Sequence, residues 1–295
     1  MNITPSFIKK LEENIPSFPD NAATIREVRP VHGGDINEAF ELRTASADYF
    51  LKVNRAAPYP GLFEKEYHGL EHLRRRKGKA LFIPAPLACG TWEDQQFLLM
   101  EFFHAAPAAG DFWEVFGREM ALLHRHHEDN FGFAEDNYLG TVLQSNRHHA
   151  DWSSFYIEER LDPLFRKLYD EGSLEAPFLK RVEFLYRQLP QIFPSEPPSL
   201  LHGDLWSGNF SIGPEGQPCI YDPAVYYGHR EMDLAMTRLF GGFDYRFYSS
   251  YESEWPLEAG WQSRISICQL YPLLVHALLF GGHYVLSVKD LLKGF

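Results

Sequence analysis

The segment LLHGDLWSGNF, residues 200–210, places His202, Asp204 and Asn209 on a short loop between apolar flanks. An aspartate followed five residues later by an asparagine suits phosphoryl transfer to a hydroxyl: Asp204 takes the proton of the attacking group, and Asn209 holds Mg²⁺. A second acid, Asp222, follows the apolar pair Ile220-Tyr221, as expected at the end of a short strand, where it would bridge the metal to the phosphates of ATP. The separation 222 − 204 = 18 leaves room for one hairpin, so that both segments can return to one cleft.

A cation and a nucleotide cradle are expected in the first hundred residues. Lys52 lies within the apolar run YFLKV, where burying an ammonium is costly unless an anion meets it. ATP phosphates and a carboxylate from the following helix can supply that anion. Glu66 is the expected partner and Glu64 the alternative, since residues two apart lie on different helix faces. The Gly33-Gly34 turn can bring backbone N–H groups to phosphate, and the connector Glu101, Phe102, Phe103 can offer backbone groups to adenine.

Taken singly, several of these residues also have plain structural readings. Lys52 reads as a strand lysine with its stem packed down, and Gly33-Gly34 as a hairpin turn, because no G-x-G-x-x-G is present. Glu66 alone is a solvated helix carboxylate, and Asp222 before Pro223 is turn chemistry. The string from His202 to Asn209, with an acid at the right distance after it, resists such a reading. Asp233, in HREMDLAM, is expected to be structural, capping a helix or accepting N–H bonds from the catalytic loop. His202 either orients that loop or meets the substrate. Trp206 is either a packing residue or, by preference, a platform for a sugar face. His124, His126 and His127 show no metal-ligand pattern and read as solvated or core residues.

The elements that must position these groups divide near Phe103. Residues 1–103 read as strand-rich: Glu27 to Val31 and Ala39 to Arg43 flank HGGD as a hairpin, DYFLKV (48–53) is a strand, and FLLMEFF (97–103) is a buried strand. Phe63, Tyr67, Leu70 and Leu73 recur at helical spacing, which predicts an amphipathic helix over 63–76. Residues 104–295 turn helical, over 112–124, over 161–189 with a break at Glu171-Gly172, and over 263–288. The expected fold class is therefore α+β, with an antiparallel sheet and one main helix in the first part and a mostly helical second part.

At 295 residues the chain exceeds what one hydrophobic core usually fills, and 24 Phe, 15 Tyr and 6 Trp argue for a large apolar interior. A net charge of −12, with Arg74 to Lys77 as the sole basic cluster, argues against nucleic acid as a partner. Three widely spaced cysteines point to a reducing, cytoplasmic setting. The longest apolar run, Tyr271 to Phe280, is half a membrane span, so no membrane partner is expected. Nothing in the sequence sets an oligomeric state.

At these residues the chain resembles the fructosamine/ketosamine kinases, relatives of the aminoglycoside phosphotransferases within the bilobal protein-kinase-like fold. LHGDLWSGN carries most of the likeness. FLKVNR, FEKEYHGLEHL, LLMEFF, DNYLGTVLQSN, DWSSFYIEERLDPL, DPAVYYGHREMDLAMTRLFGGF and YPLLVHALLFGGHY extend it over nearly the whole chain. The resemblance implies transfer of the ATP γ-phosphate, with Mg²⁺, to the 3-hydroxyl of a ketosamine: a fructosamine or ribulosamine on a small amine or a protein lysine. It makes Asp204 the base, Asn209 and Asp222 the metal ligands, and Lys52 and Glu66 the phosphate clamp. Asp35 stands where several relatives carry a cysteine, so thiol control of that loop is not expected here. The rival readings are another small-molecule kinase of this fold, acting on an aminoglycoside or choline, and a catalytically silent nucleotide-binding protein.

Overall fold

The computed structural model describes residues 3–13, 24–31 and 37–295. The Gly33-Gly34 turn and Asp35 lie outside the described residues. In chain order the elements are α1 (Pro5–Glu12), β1 (Glu27–Val31), β2 (Glu38–Arg43), β3 (Asp48–Arg55), α2 (Leu62–Arg74), β4 (Pro86–Trp92), β5 (Gln95–Glu101), α3 (Phe112–His124), β6 (Asn137–Leu139), β7 (Val142–Gln144) and α4 (Trp152–Phe155). A π-helical turn (Tyr156–Leu161) follows, then α5 (Asp162–Asp170), α6 (Ala176–Ile192), β8 (Ser199–Leu201), β9 (Phe210–Ile212), β10 (Pro218–Ile220), β11 (Tyr226–Gly228), α7 (Glu231–Leu239), α8 (Tyr245–Glu254), α9 (Trp261–Phe280) and α10 (His283–Leu292). The chain forms two compact units, Met1–Phe112 with Ser211–Asp222, and Trp113–Phe210 with Pro223–Phe295.

The first unit is built on an antiparallel sheet of order β1-β2-β3-β5-β4. Alternation along β3 sends Leu51 and Val53 into a core with Phe97 and Leu99, and α1 closes that core with Phe7 and Leu11. Thr4 starts α1 by accepting the Phe7 N–H at 3.2 Å, and Pro5 opens the helix with φ already set. In α2, Phe63, Leu70 and Leu73 are buried as their spacing predicts, whereas Tyr67 is half-buried. Pro86 opens β4 at the sheet edge, where a missing N–H costs no ladder bond.

A distant piece of chain completes this unit. The β9–β10 hairpin is fastened to it when the Phe82 N–H donates to the Pro218 carbonyl (2.8 Å) and the Ile220 N–H to the Phe82 carbonyl (3.1 Å). Gly216 in the hairpin turn has φ +82°, and a Cβ there would lie 2.7 Å from the Pro107 carbonyl, so only glycine fits.

The second unit is mostly helical, with short strand pairs β6–β7 and β8–β11 that the sequence does not announce. Its core gathers Trp152, Phe155 and Tyr156 with Leu185, Leu189, Tyr226 and the buried length of α9. Helix α9 is long and apolar enough to cross a membrane by composition, yet 56% of that stretch is buried within the protein, as in a core helix. The break expected at Glu171-Gly172 is there: Gly172, at φ +75°, follows α5. Arg160 is fully buried, its guanidinium 4.5 Å from the centre of the Phe155 ring and 4.3 Å from that of Tyr226, with Asn146 accepting a hydrogen bond at 2.6 Å.

His229, buried just before α7, makes this core sensitive to acid. Burial pulls its pKa from 6.5 down to about 4; Glu196 opposes that shift, and Arg230 and Arg264 reinforce it. A depressed folded pKa means that the unfolded chain binds the extra proton first, so stability is lost as pH falls from about 6.5 toward 4. The full effect is about 3 kcal/mol. Urea midpoints of wild type and His229→Gln should diverge over that window, with the variant losing less; parallel curves would show that His229 is not the titrating group.

Candidate active site

In the first unit, the Lys52 ammonium reaches two carboxylates. It donates to Glu66 Oε1 at 2.6 Å and to Asp222 Oδ1 at 2.5 Å. Helix α2 presents Glu66, and not Glu64, to the strand lysine. The hydrogen bonds between Phe82 and β10 bring Asp222 to the same ammonium across 170 residues of sequence. Burial alone would lower the pKa of Lys52, but the charges of Asp222 and Glu66 outweigh it and hold the lysine protonated, above its ordinary range. Burial pushes Glu66 up to about 7 against the pull of Lys52.

Asp222 itself sits at φ +59°, a left-handed conformation that costs a non-glycine residue about 1 kcal/mol and that aspartate tolerates better than most. Its side chain is 38% exposed, so the carboxylate that meets buried Lys52 also meets solvent. On the connector, the Glu101 N–H donates to the Ala85 carbonyl (2.8 Å), and the Glu101 carboxylate accepts the Ala85 N–H (3.0 Å). Phe103 packs edge-on against Phe82 with ring centres 5.0 Å apart, and Phe102 against His104 at 5.1 Å.

In the second unit, residues 202–209 fold on themselves. Asn209 Nδ2 donates to the Asp204 carboxylate Oδ2 (2.8 Å) and to its carbonyl (2.9 Å), and the Asn209 N–H donates to the Trp206 carbonyl (3.0 Å). The amide nitrogen is thereby turned to Asp204, and the Asn209 oxygen is the atom of that side chain suited to a hard cation. Trp206 lies over Gly208, where a Cβ would come within 2.4 Å of the indole.

The loop is held from behind by Asp233 on α7. Its carboxylate accepts the His202 N–H (2.7 Å) and the Gly203 N–H (2.9 Å), the second of the two roles expected for it. Burial would raise its pKa, but the bonds from His124 and Gly203 leave it below the ordinary carboxylate value. His202 is fully buried, with Nδ1 accepting the Asp204 N–H at 3.3 Å. Of the two roles open to His202, contact with substrate finds no exposed surface here, and the bond from the Asp204 N–H accords with orienting the loop.

Sequence reasoning missed His124, which reads there as a solvated or core residue. Its Nε2 lies 3.1 Å from Asp233 and its Nδ1 2.7 Å from the Tyr251 hydroxyl, a buried chain that ends, through Asp233, on the loop of residues 202–209. No spacing signal links residues 109 apart.

The glycine of the H-G-D triplet is required by geometry. Gly203 has φ +83°, and a Cβ would sit 2.0 Å from the Ala224 carbonyl, while the Ala224 N–H donates to the His202 carbonyl at 2.9 Å. Gly203→Ala should therefore cost about 2–4 kcal/mol through strain and overlap, and displace Asp204 as well. Denaturant midpoints check the first effect and turnover the second; a variant with wild-type values in both would mean that the segment at Ala224 yields freely.

The model of the family described as "Fructosamine kinase" matches residues 7–295. The chain belongs to the fructosamine kinase family. A protein of Enterococcus faecium named a probable ketoamine kinase is 38% identical over 271 residues, covering 91% of this chain and 95% of its own. A solved structure from Haemophilus somnus, described as a fructosamine-3-kinase, superposes with a TM-score of 0.85 at 26% identity, over 97% of this chain and 95% of its own. A thermostable aminoglycoside phosphotransferase, solved as a ternary complex with AMP-PNP and hygromycin B, superposes at 0.63 with 16% identity over 98% of both chains, a likeness of fold alone. The fold of the family is thus the protein-kinase-like α+β fold expected from the sequence, its antiparallel sheet in the first unit and most of its helices in the second.

Proposed function

We propose that the chain is a ketosamine kinase that transfers the γ-phosphate of ATP to the 3-hydroxyl of a fructosamine or ribulosamine. The observation that carries the reading is Lys52, a buried ammonium shared by Glu66 and Asp222. Such an ammonium is a heavy cost in a merely structural strand, and it suits a site that receives phosphate. The ketoamine kinase relatives supply the acceptor class.

In this reading residues 1–103 are the ATP-binding lobe and residues 104–295 the lobe of catalysis and acceptor binding. Lys52, held by Glu66, binds the ATP phosphates. Backbone groups at Phe102 and Phe103 take adenine, since the Glu101 N–H is engaged with Ala85. Gly33 and Gly34 would cover the phosphates. Asn209 and Asp222 offer an amide oxygen and a carboxylate, a hard oxygen set that fits Mg²⁺. Mg²⁺ would neutralise the charge of the transferring phosphate. Asp204 accepts the proton of the 3-hydroxyl, its carboxylate aimed by the Asn209 amide and by the Asp233 anchor. Trp206 stacks on the sugar face.

Phosphorylation at C3 gives the product a leaving group: through the 1,2-enaminol the phosphate departs, and hydrolysis of the resulting imine frees the amine. The reading therefore includes repair of glycated lysines, in a reducing cytoplasm that suits the three free cysteines. The test is Mg·ATP turnover with ribulosyl-lysine, fructosyl-lysine, an aminoglycoside and choline side by side, with ³¹P NMR locating the new phosphate. A 3-phosphate on a ketosamine is the expected result; turnover with the aminoglycoside or choline alone would replace the acceptor class.

A further inference from the structure

The segment LLFGGHY has no part in the phosphoryl transfer itself, yet it completes a row of rings that begins on the catalytic loop. Trp206 meets Phe240, at the end of α7, with ring centres 5.5 Å apart; Phe240 meets His276 of α9 at 5.0 Å; His276 meets Tyr284 of α10 at 4.9 Å. Phe280, one turn after His276, lies 5.7 Å from it, and His283 packs on Tyr284 at 4.0 Å. Gly281 (φ +61°, ψ −142°) and Gly282 (φ +56°, ψ −126°) occupy backbone regions open essentially to glycine alone, and they turn α10 so that its first rings reach those of α9.

Such a row has no structural need to face water. Phe280 is 53% exposed and Phe240 37%, and Leu286, further along α10, is exposed as well. Contiguous exposed aromatics mark a binding surface. His276, in the middle of the row, has its pKa lowered by burial, and its Nδ1 lies 2.7 Å from the Pro272 carbonyl, so the neutral ring donates there and keeps Nε2 as its acceptor.

We infer that this row is the subsite for the amine-bearing part of the acceptor, the alkyl side chain of a glycated lysine in a polypeptide. The inference rests on the ketosamine reading and deepens it. With the sugar on Trp206, the chain attached to C1 leaves the catalytic loop, and the rings of Phe240, His276, Tyr284 and Phe280 continue from that point. Aromatic faces suit both parts of that attached chain: Phe240, next to Trp206, takes the secondary ammonium by cation–π attraction, and Phe280 and Tyr284, further along the row, take the methylenes by apolar contact. A chain of net charge −12 does not repel that cation.

The experiment compares two acceptors, a short peptide carrying fructosyl-lysine and the fructosamine of methylamine, in wild type and in Phe280→Ser and Tyr284→Ala. In both variants the KM for the peptide should rise about 5–10-fold, while the KM values for the methylamine compound and for ATP stay within about two-fold. Equal changes for both acceptors, or none, overturn the subsite. Calorimetric titration of the glycated peptide separates this inference from the reaction itself. Binding that weakens in Phe280→Ser without turnover in either protein removes the kinase reading and keeps the subsite. Turnover with equal peptide affinities removes the subsite alone, and absence of both binding and turnover removes both. A Phe280→Ser protein that changes from dimer to monomer in sedimentation, with its peptide KM unaltered, would make the row a self-association face and also overturn the inference.

Discussion

Asp204→Ala should lower kcat by about a thousand-fold while leaving the affinity for ATP within about two-fold of wild type. The expectation of a clean catalytic defect follows from how the loop is held. Asn209 Nδ2 bonds the Asp204 carbonyl as well as its carboxylate, and His202 and Gly203 hang on Asp233, so truncating the side chain leaves these backbone attachments in place. What is lost is the group proposed to take the hydroxyl proton. Single-turnover measurements with saturating ATP would isolate that step. Turnover near the wild-type value would remove Asp204 as the base, and a collapse of ATP affinity would mean that the carboxylate serves the metal.

Lys52→Met should abolish ATP use through a different route and should also destabilise the protein. Removing one partner from a buried ion cluster leaves the others uncompensated, at a cost of about 3 kcal/mol, near the lower end of the usual range because Asp222 is more than one-third exposed. The sign of the pH dependence identifies the culprit. Glu66 already has a folded pKa above its unfolded value of 4.5, so its contribution to stability is present at low pH and is lost as pH rises through about 7. Without Lys52 that loss steepens, and the stability deficit of the variant should be larger at pH 8 than at pH 5. Adding Glu66→Gln should restore much of the stability and none of the activity. If Lys52→Met lost ATP use at unchanged stability, the ammonium would be binding nucleotide without holding the carboxylates together.

Much of this site was legible because its chemistry is written in short, closely spaced strings. Asp204 and Asn209 hydrogen-bond across five residues, and the one hairpin expected between residues 204 and 222 is β9–β10. The partner of Lys52 was legible for a local reason too: helical spacing separates Glu64 from Glu66 by face. What the sequence could not announce is set by tertiary contact. His124 reaches Asp233 across 109 residues, and nothing in its neighbourhood distinguishes it from His126 or His127. The burial of His202 depends on the packing around β8, and a histidine string carries no sign of it. The segment Asp151 to Leu164 buries Trp152, Phe155, Tyr156 and Arg160 in the core of its unit, and aromatic density alone does not say which side faces water.

The fastening of Phe82 to β10 also bears on how the chain is born. The first unit ends its continuous run at Phe112, yet the strand that pairs with Phe82 and the carboxylate that meets Lys52 come only at Pro218 to Asp222. Another 222 − 112 = 110 residues must be translated first, roughly 5–20 s at the usual pace of synthesis. Throughout that interval the nascent first unit holds a lysine within its strand with one counterion missing. Its final closure must wait until residues 113–210 of the other unit have been made.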